Sequence, residues 1–298
     1  MAATLPLLAS MATGVLVGIG IVATRFAIDQ TDPSSLALLR YALASVLLLP
    51  AILASAKVRF RGRDLAPIAL LGIGQFGILI MLMNYGLQFV SSGLAALIFA
   101  TMPLWALTFG AILGNEAMTG YKTGGVLLTI AGVGFAVYDH FGLADLHESA
   151  WLGGLAVFAS AAVGALCSVL YRPYLRRYPT LQVSGIAMLA SVVFLTIPAG
   201  WAGFFATWPV FTWAGWAAVL VIGLASAIGY YIWLWALNHT TPTRVTVFMS
   251  LSPVTATLLG WALLGEPLTA EFMIGTSLVA LGLWLAHRTT ESRRVGVT

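Results

Sequence analysis

Residues 87–116, LQFVSSGLAALIFATMPLWALTFGAILGNE, can be laid on residues 237–266, LNHTTPTRVTVFMSLSPVTATLLGWALLGE, at a constant shift of 150 without a gap. Leu87 falls on Leu237, Pro103 on Pro253, Gly110 on Gly260, Leu113 on Leu263 and Glu116 on Glu266. The register continues outward from this pair, from 71–138 onto 221–288, and brings Thr119 onto Thr269, Gly125 onto Gly275 and Gly132 onto Gly282. Farther upstream, Gly18 with Gly164 and Pro33 with Pro179 agree at a shift of 146, the four-residue difference falling in a basic loop. The chain is therefore read as a duplication, one repeat over 1–145 and the other over 146–298.

Both copies are greasy. The chain is 60% hydrophobic and 8% charged, with a mean hydropathy of +0.97. An ordinary soluble domain is about 25% charged, so such a surface demands lipid. Apolar stretches of about 20 residues recur along the length, each enough to cross a hydrocarbon core of about 30 Å as a helix. A doubled apolar unit of this kind is the pattern of secondary transporters, whose substrate site lies between two repeats. The single Cys167 excludes an internal disulfide and reads as a small buried hydrophobe. The net charge of +4 reads as membrane orientation, with no nucleic-acid partner.

The apolar pattern predicts ten spans, near 6–27, 34–55, 66–88, 92–113, 122–139, 151–171, 180–200, 213–237, 244–264 and 270–287. No Lys or Arg precedes the first, so it is read as a retained helix and not as a secretory signal. Lys57, Arg59, Arg61 and Arg63, then Arg172, Arg176 and Arg177, then Arg288, Arg293 and Arg294 fall in segments that share one side. Positive residues mark the cytoplasmic side, which places both termini there. Asp29, Asp32, Asp139, Asp145, Glu148, Glu266 and Glu271 fall opposite, with Trp201, Trp208, Trp213 and Trp216 as an aromatic belt. Five spans per copy is an odd number, so the second copy enters the membrane inverted. The expected fold is an all-α membrane protein, two inverted five-helix repeats around a central cavity.

Pro103 and Pro253 fall midway along the fourth and ninth spans, where a proline removes one backbone hydrogen bond and bends the helix. Each frees a carbonyl four residues earlier, on Phe99 and Met249, which in a dry interior needs water, a hydroxyl or a substrate as partner. A simple shape-adjusting kink is the plainer alternative. Phe99, Met102, Met249 and Ser252 thus become the first pathway candidates. Gln75 and Asn84, inside the third span, must bond to another helix or face a cavity; Leu79 lies one turn from Gln75. Among the aromatic residues of the eighth span, Tyr230 is placed inward. Arg25, Arg40 and Arg244 lie near enough to span ends to snorkel; the alternative is a grip on a substrate carboxylate at the cavity mouth, with Arg40 favoured.

Absences matter as well. No Asp or Glu falls at mid-span, where a charge costs about 2.5 to 3.5 kcal/mol and is usually functional, so no proton relay is indicated. Lys57 and Lys122 lack a phosphate-loop setting, and His140, His147, His239 and His287 lack zinc spacing. No enzyme, cofactor or metal site is implied. Gly72, Gly74 and Gly77 fit a dinucleotide-loop pattern but sit inside an apolar span, where close helix packing explains them. The sequon Asn238–His239–Thr240 falls in a loop assigned to the cytoplasm.

Together with the ten-span pattern, YGLQFVSSGLAALIFATMPLWALTFGAILGNE (85–116) and ALNHTTPTRVTVFMSLSPVTATLLGWALLGEPLT (236–269) resemble the EamA-type domain of the drug/metabolite transporter superfamily. The resemblance covers essentially the whole chain and implies a bacterial inner-membrane carrier. Its cavity would be walled by the first, third, fourth, sixth, eighth and ninth helices. Within the superfamily the chain looks most like exporters of aromatic amino acids; broad drug or purine export is the alternative, and outside transport a membrane enzyme or assembly factor. The expected partners are a small-molecule substrate and the lipid bilayer. Lipid-facing and protein-facing apolar surfaces look alike in such a sequence, so no oligomeric state follows from it.

Overall fold

The computed structural model describes residues 4–55, 58–113, 120–141, 148–240, 245, 248 and 251–292. These fold into helices and connecting turns, as a chain dissolved in lipid requires, because an α-helix satisfies its backbone polar groups internally. We label the helical rods α1 (Thr4–Ile28), α2 (Pro33–Ala54), α3 (Gly62–Gly86), α4 (Ser92–Ile112) and α5 (Gly120–Phe141). Then come α6 (Glu148–Leu175), α7 (Thr180–Trp201), α8 (Trp213–His239), α9 (Leu251–Leu264) and α10 (Ala270–Ser292). Among the described residues, seven are long and apolar enough to cross a membrane, namely α1 to α4 and α6 to α8. Shorter apolar stretches lie in the other three, Thr123–Ala136, Leu251–Leu264 and Phe272–Gly282.

Local sequence sets the helix starts. Asp32 precedes Pro33 and caps α2, its Oδ1 accepting from the backbone N–H groups of Ser34 and Ser35 at 2.9 Å each. Ser91 caps α4 and Thr212 caps α8 in the same way, through Leu94 N and Gly215 N. Gly265, at φ +67°, closes α9 in the left-handed conformation that only glycine adopts without strain. Some boundaries differ from the apolar pattern: α3 begins at Gly62 and takes in Arg63, α10 runs to Ser292 and takes in Arg288, and α6 runs on to Leu175, so Arg172 lies in its last turn and not in the loop. A cation there meets the negative end of the helix dipole, which lets the helix outlast its apolar stretch.

The packing has an internal regularity. Helix α1 lies against α8 and α9, while α6 lies against α3 and α4. Helix α2 lies against α8, and α7 against α3. The remaining extensive pairs are α2 with α7, α4 with α9 and α5 with α10. Advancing every number by five, and wrapping past α10, returns the same set of pairs.

Glycines allow several of these approaches. A Cβ on Gly132 would stand 2.7 Å from the Gly275 carbonyl oxygen, and one on Gly282 would stand 2.7 Å from that of Gly125, so α5 and α10 run antiparallel in near backbone contact. Gly72 presses on the backbone of Ala187 in α7, Gly74 faces Cys167 of α6, and Gly14 and Gly18 face α9, as close packing requires.

The bundle has two distinct ends. At one, the Gln30 side chain after α1 accepts at 2.9 Å from the N–H of Thr212, the cap of α8. At the other, the Tyr178 hydroxyl after α6 accepts at 3.2 Å from the N–H of Arg61, the cap of α3. Tyr178 in turn donates to buried Asp64 at 2.6 Å, and Arg177 approaches the same carboxylate at 3.6 Å. This second end carries exposed Arg59, Arg61, Arg63, Arg176 and Arg177.

Candidate functional site

Between the ends lies a cavity lined from α1, α2, α3, α4 and α8. Each contributing segment has a local reason to face inward. In α3, Ile73–Ile78 are wound as a π-helix, a distortion that re-aims side chains and often marks functional sites. This turn carries Gln75, whose side chain lines the cavity. Gln75 is buried, and its Oε1 has no hydrogen-bond partner. A buried, unpaired amide oxygen is costly unless something else reaches it.

In α4 the α-helical winding stops at Phe99 and resumes at Met102. The break follows from Pro103, which cannot donate to the Phe99 carbonyl. Thr101 covers part of the gap, its hydroxyl donating to the Ile98 carbonyl at 2.7 Å. Phe99 and Met102, flanking the break, both face the cavity. Helix α8 supplies the opposite wall with Ser226, Gly229, Tyr230 and Trp233, which recur at the three- and four-residue spacing of one helix face.

Aromatic rings close one side. Phe76 meets Tyr230 edge-on with centroids 4.4 Å apart, Tyr41 stands 5.2 Å from Phe76, and Trp233 stands 6.1 Å from Tyr230. The Tyr41 hydroxyl donates to that of Tyr230 at 3.1 Å. Edge-to-face pairs of this kind contribute about 0.5–1.5 kcal/mol beyond burial, so the wall is stiff.

Arg40 projects into this space from α2. Its residue is 9% exposed; Nε donates to Ser226 Oγ at 2.6 Å, and the guanidinium carbon stands 5.7 Å from the centroid of the Tyr41 ring. Ser226 hands its own proton to the Ile222 carbonyl at 2.7 Å, leaving its oxygen free to accept. Among the described residues Arg40 has no carboxylate partner. It sits seven residues past Pro33, about 10 Å into the helix, and is turned inward. The side chain does not snorkel: Ser226, the Tyr41 face and the open position of Gly20, where a Cβ would stand 3.4 Å from Nη2, accommodate it inside.

Of the expected site residues, Gln75, Phe99, Met102, Tyr230 and Arg40 thus share one cavity. Leu79, Pro103, Ser252 and Pro253 are buried behind the wall: Leu79 faces Gly164 of α6, and the Ser252 carbonyl lies beside Gly18 of α1. Met249, Arg244 and Glu116 lie outside the described residues. Asn84 proves to be a tie between helices, donating to the Pro33 carbonyl at 2.9 Å. Trp233, Ser226 and Thr13 were missed. The spacing along α8 carried a signal for the first two, whereas Thr13 of α1 had none.

The sequence matches the EamA-like transporter family over residues 4–138 and again over 151–288. The chain belongs to that family. This EamA-like transporter is 33% identical over 275 residues to a Streptantibioticus cattleyicolor protein described as a probable terminal-alkyne amino-acid exporter, covering 91% of its own length and 90% of the relative's. It is 28% identical over 276 residues to the uncharacterized inner membrane transporter YedA of Escherichia coli K12, with 88% and 86% covered. A solved structure described only as "Crystal structure of protein" shares the fold, with a TM-score of 0.69 at 20% identity over 97% of this chain and 98% of that one. Family and relatives point to a multi-pass membrane transporter handling small molecules, and not to an enzyme.

Proposed function

We propose that this EamA-like transporter exports small amphipathic metabolites, with aromatic amino acids as the leading cargo, across the bacterial inner membrane by alternating access. The observation that carries this is the cavity itself, which a buried guanidinium and an amide oxygen without a hydrogen-bond partner both line, beside aromatic rings. The relative described as an amino-acid exporter supports the same cargo class.

In this reading ten spans form two inverted repeats, 1–145 and 146–298, and the packing that returns on advancing each helix by five supports it. The arginine-rich end faces the cytoplasm with both termini. The repeats rock about the cavity and expose it to each side in turn. Phe99, Tyr230 and Met249 meet the ring of the cargo by dispersion and stacking, with Leu79 packed behind the wall. Arg40 takes the carboxylate as a two-pronged donor. Gln75 and the carbonyls freed by Pro103 and Pro253 meet its remaining polar groups. With no carboxylate at mid-span, transport runs down the cargo's own gradient without stoichiometric proton movement.

Overproduction in bacteria tests the cargo. Protection against toxic phenylalanine or tryptophan analogues, with sensitivity to polar amino-acid analogues unchanged, is expected; equal protection against unrelated dyes would overturn it in favour of drug export. Liposomes holding the purified protein and an internal pH dye test the coupling, and one proton per substrate would refute the uncoupled mechanism.

A further inference from the structure

The cavity is charge-unbalanced. No Asp or Glu occurs anywhere in residues 5–28, 33–54, 65–112, 151–201 or 213–265, the segments that wall or back the cavity. Arg40 is thus a permanent cation there without a protein anion, since arginine does not deprotonate in proteins. Its hydrogen-bond partner Ser226 and its ring partner Tyr41 are both neutral. Gln75 offers a donor or an acceptor according to which way its amide is turned, but never a charge.

A free amino acid entering this space neutralises Arg40 with its carboxylate and then leaves its ammonium facing neutral oxygens only. The occupied pocket keeps one net positive charge inside the protein, where an unpaired ion is costly. A carboxylate without an ammonium balances the pocket completely. We infer that the site recognises a carboxylate joined to an apolar ring and does not read the amine, so that its preferred ligands are net-anionic aryl carboxylates. The class includes aromatic amino acids whose nitrogen is acylated or replaced by a keto oxygen. This rests on the transport reading above and narrows its cargo.

Competition on the purified full-length protein in liposomes tests it, with direct binding of each compound followed by tryptophan fluorescence. The compounds are L-phenylalanine, N-acetyl-L-phenylalanine, 3-phenyl-2-oxopropanoate, L-phenylalanine amide and 2-phenylethylamine. The two anions are expected to bind more tightly than phenylalanine, and the two cations at least about tenfold more weakly than the anions. Arg40→Gln should erase the preference for anions over cations, and Arg40→Lys should keep part of it. Movement of the N-acetyl compound should respond to an imposed membrane potential, and movement of zwitterionic phenylalanine should not. Binding of phenylalanine as tightly as the two anions or more so, or of the amine as tightly as the acids, overturns this inference and leaves the amino-acid reading standing. Binding of none of the carboxylates overturns both. The ranking of ligands on the unaltered protein decides even where Arg40→Gln fails to fold.

Discussion

Glu266, from the turn after α9, closes the amino end of α4: Oε1 accepts from Ser92 N at 2.9 Å and Oε2 from the Ser92 hydroxyl at 2.5 Å. The carboxylate thereby meets the positive end of a helix dipole and two donors that the helix cannot use itself. Gly260 makes room, because a Cβ there would stand 2.5 Å from Ser92 Oγ. Replacing Glu266 with Ala should cost about 1–2 kcal/mol. Glu266→Gln keeps an acceptor and loses the charge, so it should lie between. Thermal unfolding of detergent-purified protein checks this order. Equal midpoints for all three proteins would mean that the contact holds nothing.

The α5–α10 pair supplies a paired test. Gly132→Leu places a side chain where the Gly275 backbone already stands, while Gly134, two residues on, has open space around its Cβ position. Two backbones in such proximity cannot part without loosening the whole contact. Gly132→Leu should sharply reduce the yield of monodisperse protein, and Gly134→Leu should not. Size-exclusion chromatography of both variants reads the difference.

These glycines also show what the sequence carries plainly. Gly125, Gly132, Gly275 and Gly282 stand out as coinciding positions when the chain is laid on itself at a shift of 150, and antiparallel packing pairs them crosswise, Gly132 with Gly275 and Gly125 with Gly282. The seven membrane-length helices among the described residues were also legible as apolar stretches, since a helix satisfies its backbone polar groups internally in lipid. The direction of individual side chains was not. Arg40 looks like any arginine two turns from a helix end, and only the positions of Ser226 and Tyr41 on other turns decide that it points inward. Gln75 and Asn84 are both polar residues inside an apolar span, yet one finds a carbonyl on α2 and the other faces the cavity. The π-helical turn under Gln75 has no mark in its own residues, because the winding answers to packing around it.

The two ends of the bundle make the orientation measurable. The contact from Arg61 to Tyr178 joins the loop before α3 to the turn after α6, so both must lie on one side of the bilayer. With Cys167 replaced by Ala, single cysteines at Arg61 and Arg176 should label from the same compartment and one at Trp208 from the opposite one. An impermeant maleimide applied to intact cells and to inverted vesicles gives the answer. Opposite labelling of Arg61 and Arg176 would destroy the inverted-repeat reading.

Neighbouring tyrosines on α8 separate a cavity role from a lipid-facing one. Tyr230 packs edge-on against Phe76 and lines the cavity, whereas Tyr231 is 38% exposed on the outer surface of the bundle. Truncating Tyr230 to Ala removes a ring from the wall and leaves the Tyr41 hydroxyl without its partner, so binding of an aromatic carboxylate should weaken by about tenfold, or about 1.4 kcal/mol. Tyr230→Phe keeps the ring contact and should lose only a fraction of that. Tyr231→Ala should bind as the unaltered protein does, since lipid replaces the lost surface on a face that no cargo touches. Fluorescence titration of the three variants distinguishes them, and a loss at Tyr231 equal to that at Tyr230 would place the cargo somewhere other than this cavity.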